Sequence, residues 1–381
     1  IFVPVTAGGG VRNVKDASEL LAAGADKIAV NTEALNRPDL IKELAEAFGS
    51  QCVVASIQAR RNGENQWEAM AEAGRERTGR DVMEWIKEVQ HLGAGEILLT
   101  SVDQDGTCKG PDNALNHMAA NNVHVPLIAC GGFSNETEIA NTLLNPLISA
   151  VSIGAALHQK KLNIAATKQK LTFADIPSRV YQPVDKLGIT TSSNEKIGIV
   201  DYGMGNQQSL INALDFIGYP TLLSDQWSLL SNCRLLMLPG VGAFPEGMKR
   251  LKSRNLCTPL IDWTKAGNPL IGICLGMQML FDDSNEFTST QGLGLLKGSV
   301  KKLLPLNLQT NTEDLLPLPH MGWNRIKQQN NKESGPSLPE IEQYFVHSFS
   351  AKEVPIQYVT GTTGYGSETI IASVQCERVA G

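Results

Sequence analysis

Short apolar runs alternate with amphipathic stretches along roughly the first 165 residues. The spacing predicts strands at about 2–7, 27–31, 52–58, 96–101, 126–130 and 150–155. Helical periodicity fills the gaps, as in KDASELLAAG and GRDVMEWIKEVQHLG. Such regular alternation predicts parallel βαβ units. Six readable strands fit part of a closed (β/α)8 barrel, which needs eight. An open doubly wound sheet would share the same pattern. From 171 to 195 the periodicity gives way to Pro, Ser, Thr and charge, which predicts a linker. A fresh α/β pattern starts at Lys196: IGIVDYG reads as a strand, GNQQSLINALDFIG as a helix and LLMLPG as a strand. Further on, SVKKLLPL, WNRIKQ, YFVHSFSA, IQYVTGTTGYG and TIIASVQC read as short strands. The expected organisation is α/β throughout: a partial barrel over 1–170, the linker, and a second α/β domain over 196–381.

Period-2 alternation assigns faces within these strands. In 27–31, Lys27, Ala29 and Asn31 share one face, and Ile28 and Val30 the other. The polar face is expected to point into the barrel, with Lys27 at its N-terminal mouth and Asn31 at its C-terminal mouth. EILLT repeats this, with Glu96 at the bottom and Thr100 at the top. Opposite charges at one mouth suggest an ion pair; on that face stability is the usual role. At the other mouth, small residues end several strands: Gly9–Gly10, Asn31–Thr32, Asp105–Gly106, Gly131–Gly132 and Gly154–Ala155. Backbone N–H groups at such loops bind phosphate without net positive charge.

The strongest chemical signal is PLIGICLGMQML. An apolar strand runs into Cys274, and a helix follows. Gly272 and Gly276 flank the cysteine, as the glycines of G-x-S-x-G flank a serine nucleophile. A helix N-terminus at the sulfur is expected to favour thiolate over thiol. LPGVGAF, with Gly240, Val241 and Gly242, can turn backbone N–H groups toward a developing oxyanion. The other six cysteines (52, 108, 130, 233, 257 and 376) form no CxxC pair, and neither a disulfide framework nor a zinc site is expected. A formal charge of −6 gives no reason to expect nucleic acid. No apolar run suits a membrane span and no signal peptide is visible, so a cytoplasmic chain is expected. No metal or organic cofactor is implied. The chain opens inside an apolar run and closes on QCERVAG with no stop signal, so both ends read as cut.

DYGMGN, LPGVGAF, GICLGMQ, HMGWN and YFVHSF, in that order, resemble the glutaminase subunits of imidazole glycerol phosphate synthases, a family of class I, triad-type glutamine amidotransferases. The likeness covers nearly all of 196–381. It implies that Cys274 attacks the glutamine amide to form a thioester. It also implies that Gly240, Val241 and Gly242 form the oxyanion strand and that Gln278 holds the substrate. The family's histidine base and orienting glutamate come from an F-H-P-E segment beyond the glycine that ends this sequence. His320 and His347 belong to other motifs and are read as structural.

VTAGGGVRN, ADKIAVNTEAL, GAGEILLTSVDQDGT, IACGGF and VSIGAALH resemble the cyclase subunits of the same synthases, from the third barrel strand onward. That likeness implies a TIM barrel whose Lys27 and Glu96 gate ammonia entry. It places a bisphosphorylated nucleotide at the glycine-rich mouth, with Asp105 among its contacts. One departure stands out. The family uses two aspartates as acid and base, one on the absent first strand and one ending the fifth. At the latter position VVASIQARR carries Gln58. An amide cannot take up or release a proton as a carboxylate does. The resemblance implies glutamine-fed ring closure in histidine biosynthesis. Gln58 leaves open a second reading, in which the barrel only conducts ammonia to a separate sugar amidotransferase. A degenerate regulatory module is a third.

Overall fold

The computed structural model describes residues 3–179, 196–204, 206–307, 315–329 and 342–381. The first half is one parallel sheet wrapped by helices. Its strands are β1 (Thr6–Gly8), β2 (Lys27–Val30), β3 (Val53–Gly63), β4 (Gln66–Ala71), β5 (Glu76–Asp81), β6 (Glu96–Ser101), β7 (Leu127–Cys130) and β8 (Ala150–Ser152). The parallel order is β1-β2-β3-β6-β7-β8, and β4 and β5 hang from β3 as an antiparallel extension. Six parallel strands in sequence order make the partial barrel, not a doubly wound sheet, whose strand order reverses part-way.

Apolar packing holds the helices against the sheet. Ile28, Val53, Ile57, Ile97, Leu99 and Leu127 are all about fully buried between sheet and helices. Each contributes roughly 1.5–3 kcal/mol by leaving water. The helices covering them include Val14–Ala22, Asp39–Phe48, Val82–His91 and Asn113–Ala120. Local chemistry sets their starts: Asn13, Asp81 and Asp112 each cap the following helix through side-chain oxygen.

Two expectations shift. The strand expected at 2–7 is β1, Thr6–Gly8. Pro4 has no N–H, and the Val5 N–H is taken by Asp26 Oδ2 at 2.7 Å, so neither donates to the ladder, although the Val5 carbonyl accepts the Lys27 N–H at 3.2 Å. The stretch read as one helix from Gly79 begins only after Asp81, because 76–81 pairs with β4 as β5. Most of the linker expected over 171–195 lies outside the described residues; its first three residues finish the helix Ile164–Phe173.

The second half adds β9 (Ile197–Val200), β10 (Thr221–Ser224), β11 (Leu235–Gly240), β12 (Leu270–Cys274), β13 (Asp283–Ser284), β14 (Thr290–Gln291), β15 (Ser299–Lys302), β16 (His320–Arg325), β17 (Lys327–Gln328), β18 (Glu342–His347), β19 (Phe349–Lys352), β20 (Val359–Tyr365), β21 (Glu368–Cys376) and β22 (Val379–Ala380). The main sheet runs β10-β9-β11-β12-β22-β21-β20-β17, parallel at one end and antiparallel at the other. Strands β14-β13-β15-β19 form a small second sheet. Strands β16 and β18 form a two-stranded antiparallel ribbon, with His320 opposite His347 and Trp323 opposite Tyr344. The ribbon's alternate side chains face opposite ways. One face carries Met321, Trp323 and Tyr344 toward the barrel, and the other carries His320, Phe345 and His347. No described helix is long and apolar enough to cross a membrane.

Candidate active site

The elbow forms because β11 and β12 run in parallel register, with Gly240 opposite Cys274. Cys274 sits at φ +55°, ψ −115°, a strained backbone that non-glycine residues rarely adopt. A β-carbon on Gly276 would lie 1.7 Å from the Leu238 carbonyl oxygen. On Gly272 it would lie 2.6 Å from the Met277 backbone. Both positions therefore require glycine, and together they turn the sulfur out at the end of the strand. Cys274 is solvent-accessible.

One sequence expectation fails here. The helix after Cys274, Leu275–Gln278, is a single turn and carries little dipole. Protein atoms crowd the sulfur and raise the thiol above its ordinary value. The Leu275 N–H pulls it down, and the Glu286 carboxylate pushes it up again. The neutral thiol is favoured in the unliganded site.

Glu286 is the residue that sequence reasoning missed. It is 5% exposed, and its Oε2 accepts the Phe244 N–H at 2.7 Å. Burial lifts its carboxyl to about 7, against the pull of that N–H. No salt bridge pairs this buried acid with a cation among the described residues, so it has room for one. The sequence signal was slight, one acid in the run DDSNE.

Of the oxyanion candidates, Gly240 ends the strand that lies beside the elbow, and Val241 and Gly242 follow it. Gly240 pairs with Cys274, and Gly242 has φ +109°. A β-carbon on Gly240 would stand 2.5 Å from the Tyr202 hydroxyl and 2.8 Å from the Gly276 nitrogen. Tyr202 is fully buried, and its hydroxyl has no hydrogen-bond partner among the described residues. Gln278 does not point at the sulfur; its Nε2 donates to the Phe349 carbonyl at 3.0 Å. No hydrogen bond joins a histidine to Cys274 among the described residues. His320 and His347 instead bond each other.

The barrel docks against this site through its N-terminal mouth. Gln51 Nε2 donates to the Gly242 carbonyl at 3.1 Å. Asn206 Nδ2 donates to the Gly24 carbonyl and to Asp26 Oδ1, each at 3.0 Å. The Arg179 guanidinium lies 3.7 Å from the centre of the Trp323 ring. Lys27 is 4% exposed, and its Nζ lies 2.9 Å from Glu96 Oε2, 3.1 Å from the Tyr344 hydroxyl and 3.2 Å from the Met321 sulfur. Burial alone would lower the Lys27 pKa, but Glu96 and Tyr344 together hold it above its ordinary value. A charged pair thus closes the barrel floor directly beneath the ribbon.

At the other mouth the small-residue strand ends divide. Asp105, Gly106, Gly131, Gly132, Gly154 and Ala155 line one pocket, joined by Cys108 and Cys130. Gly9 and Gly10 lie in an open left-handed turn away from it. Thr32 accepts the Glu72 N–H. Asn31 Nδ2 donates to the Met70 carbonyl, and Met70 pairs with Gln58, which in turn pairs with Thr100. Among the described residues Asn31 Oδ1 and Gln58 Oε1 are both buried without partners, so two acceptors are left for a donor group. Among the described residues no cluster could hold a metal ion.

Residues 1–163 match the family described as histidine biosynthesis protein, and residues 198–378 match glutamine amidotransferase class-I. The chain is 43% identical over 184 residues to the imidazole glycerol phosphate synthase subunit HisF of Prochlorococcus marinus, covering 48% of this chain and 72% of that one. It is 41% identical over 180 residues to HisF of Dehalococcoides mccartyi, covering 47% and 71%. It is 43% identical over 180 residues to HisF of Bacillus cereus, with the same coverage.

Proposed function

Because the chain belongs to the histidine biosynthesis family of HisF proteins and joins to that barrel a class-I glutamine amidotransferase domain, we propose that it releases ammonia from glutamine at Cys274 and feeds it into the barrel. The observation that carries this reading is the glycine-locked elbow, which holds the exposed residue Cys274 beside Gly240, with the buried Glu286 acting on its thiol. In the proposed reaction Glu286 receives the α-ammonium of glutamine. The Cys274 sulfur attacks the side-chain carbonyl carbon, and the resulting oxyanion takes N–H groups from the Gly240–Gly242 strand. Collapse expels ammonia and leaves a thioester, which water hydrolyses to glutamate. The reaction requires a general base, which the described residues do not supply.

Ammonia then has a floor to pass. Lys27 and Glu96 close it, and Tyr344 reaches Lys27 from the glutaminase side. We assign these three as the gate. At the far mouth the pocket of Asp105, Gly106, Gly131, Gly132, Gly154 and Ala155 suits a phosphate of a bisphosphorylated nucleotide. The family reading ends in imidazole glycerol phosphate and an aminoimidazole carboxamide ribotide.

A second reading is favoured by Gln58. Its amide stands where ring closure would call for a carboxylate, and its Oε1 has no partner. The barrel would then deliver ammonia without cyclising. Two assays on the intact protein decide. Glutamine hydrolysis is expected to vanish in Cys274→Ala, at least about 1000-fold down; survival of the activity removes the nucleophile assignment. Cyclisation driven by added ammonium salt separates the two barrel readings: turnover favours ring closure, and its absence the conduit.

A further inference from the structure

The ribbon carries a set of groups that glutamine hydrolysis as proposed does not use. Across it, His320 Nδ1 lies 3.2 Å from His347 Nε2. At the outer ends, His347 Nδ1 lies 2.8 Å from the Phe349 carbonyl oxygen, and His320 Nε2 lies 3.0 Å from Asn324 Oδ1. The Asn324 amide nitrogen donates to the Gly364 carbonyl at 3.2 Å, which turns its oxygen toward His320. The Phe349 carbonyl also accepts from Gln278 Nε2 at 3.0 Å. The contacts therefore run unbroken from Gln278 to Gly364.

Both ends of the histidine pair meet acceptors. A carbonyl or amide oxygen cannot donate, so each outer ring nitrogen must carry a hydrogen. The inner nitrogens need one more between them. The complete chain thus holds three hydrogens on four nitrogens, whereas two neutral imidazoles bring two. With only two, one link sets a ring lone pair against another lone pair. The surroundings resist the extra charge. Phe345 and Tyr365 stack on His320 with centroids at 5.4 and 4.1 Å, and the Tyr365 hydroxyl is spent on the Pro317 carbonyl. Burial, with His347 beside it, pushes His320 down to about 4, while Asn324 pulls the other way. Burial lowers His347 too, against the Phe349 carbonyl. No carboxylate bonds either ring among the described residues. Of the titratable groups, Tyr365 packs on His320, and its strand partner Glu368 is taken by Lys352. Geometry favours the charged pair and burial the neutral one, and burial delays uptake of the shared proton to acid pH.

We propose that His320 and His347 are positioning residues that share one exchangeable proton, and that gaining or losing it fixes or releases the Phe349 carbonyl that orients Gln278. The proposal rests on the glutaminase reading only for what Gln278 does; the proton is read without it. With the proton present, the Phe349 oxygen receives two donors, one of them charge-assisted. Without it, hydrogens on both Nε2 atoms keep the inner link and the Asn324 link. A bare Nδ1 then faces the Phe349 oxygen and pushes it away. Only a solvent proton moves.

The test is nitrogen NMR of the intact protein with 15N-labelled histidine and glutamine, titrated from about pH 8 to about pH 3. Expected is one joint step for the two rings, ending with both outer nitrogens protonated and one hydrogen between the inner pair. The Gln278 amide signals should move with the same midpoint. In His320→Phe, which keeps the stack, that movement should disappear. Independent titration of the rings, or Gln278 signals indifferent to the step, overturns the proposal in the wild-type protein alone. A joint step that moves Gln278 in a protein that fails to bind glutamine supports the shared proton and overturns the glutaminase reading instead.

Discussion

Glu286 shows how much one buried carboxylate can decide. An acid whose folded pKa lies above its ordinary value binds protons more readily in the fold than in the unfolded chain. Its contribution to stability is full below about 4.5 and is lost as pH rises through about 7. The loss is on the order of 3 kcal/mol. Glu286→Gln should flatten that part of the stability–pH curve, measured by urea unfolding at several pH values. Glutamine should lower the same pKa by bringing its ammonium. Binding near neutral pH should then release a proton, which calorimetry in buffers of different ionisation heat detects, and Glu286→Gln should abolish the release. Tyr202 offers a contrasting case. Its hydroxyl is buried and unpaired beside Gly240, a state that costs roughly 1–3 kcal/mol. Tyr202→Phe should therefore stabilise the protein by about 1 kcal/mol in a thermal or urea melt. A destabilised variant would mean that the hydroxyl has a partner after all.

At the level of elements, the strands that carry the site were legible because their signals are local. Residues 96–101 hold a short apolar run, Ile97–Leu99, between polar ends, and β6 spans the same residues. The elbow was legible because glycine is the only residue that fits beside Leu238 and Met277. The hairpin of β4 and β5 was not. ERTGRD has no apolar alternation, and its burial is nearly all exposed, so nothing in its own sequence says strand. It forms because β4 offers a ladder, and because Thr78 Oγ1 donates to the Ala69 carbonyl while Gly79 N–H reaches Glu68. The thiol's state was misjudged for a related reason. Helix polarity was read from a motif, whereas crowding by residues distant in sequence sets the solvation. Asp81, where the hairpin ends, caps the next helix by accepting from Met83 and Glu84 N–H groups at 2.8 and 3.0 Å. Asp81→Ala should cost about 1 kcal/mol, read as a lower urea midpoint at unchanged slope.

For the whole molecule, joining barrel and amidotransferase in one chain makes their contact intramolecular. Gln51, Lys27 and Arg179 each reach across to the second half, and Asn206 reaches back from it to Gly24 and Asp26. Glutaminase specific activity in the proposed reaction should thus stay constant over about a 1000-fold dilution of the protein. A decline on dilution would show that the contact is made between chains. Glu286 was not legible at this scale either. It lies 12 residues past Cys274 in a polar run, and only the fold brings it beneath Phe244.

The ribbon of β16 and β18 adds a constraint on how this protein can change. Its outward and inward chemistries are interleaved residue by residue: Met321 and Trp323 against the barrel floor, His320 and Asn324 against the amidotransferase side. Deleting one codon from the first strand would trade its two sets, turning an imidazole toward the ammonium of Lys27 and an indole toward the opposite face. Losing two adjacent codons would shorten the strand yet keep its parity, so even-numbered gaps are the only ones that lineages of this protein should carry there.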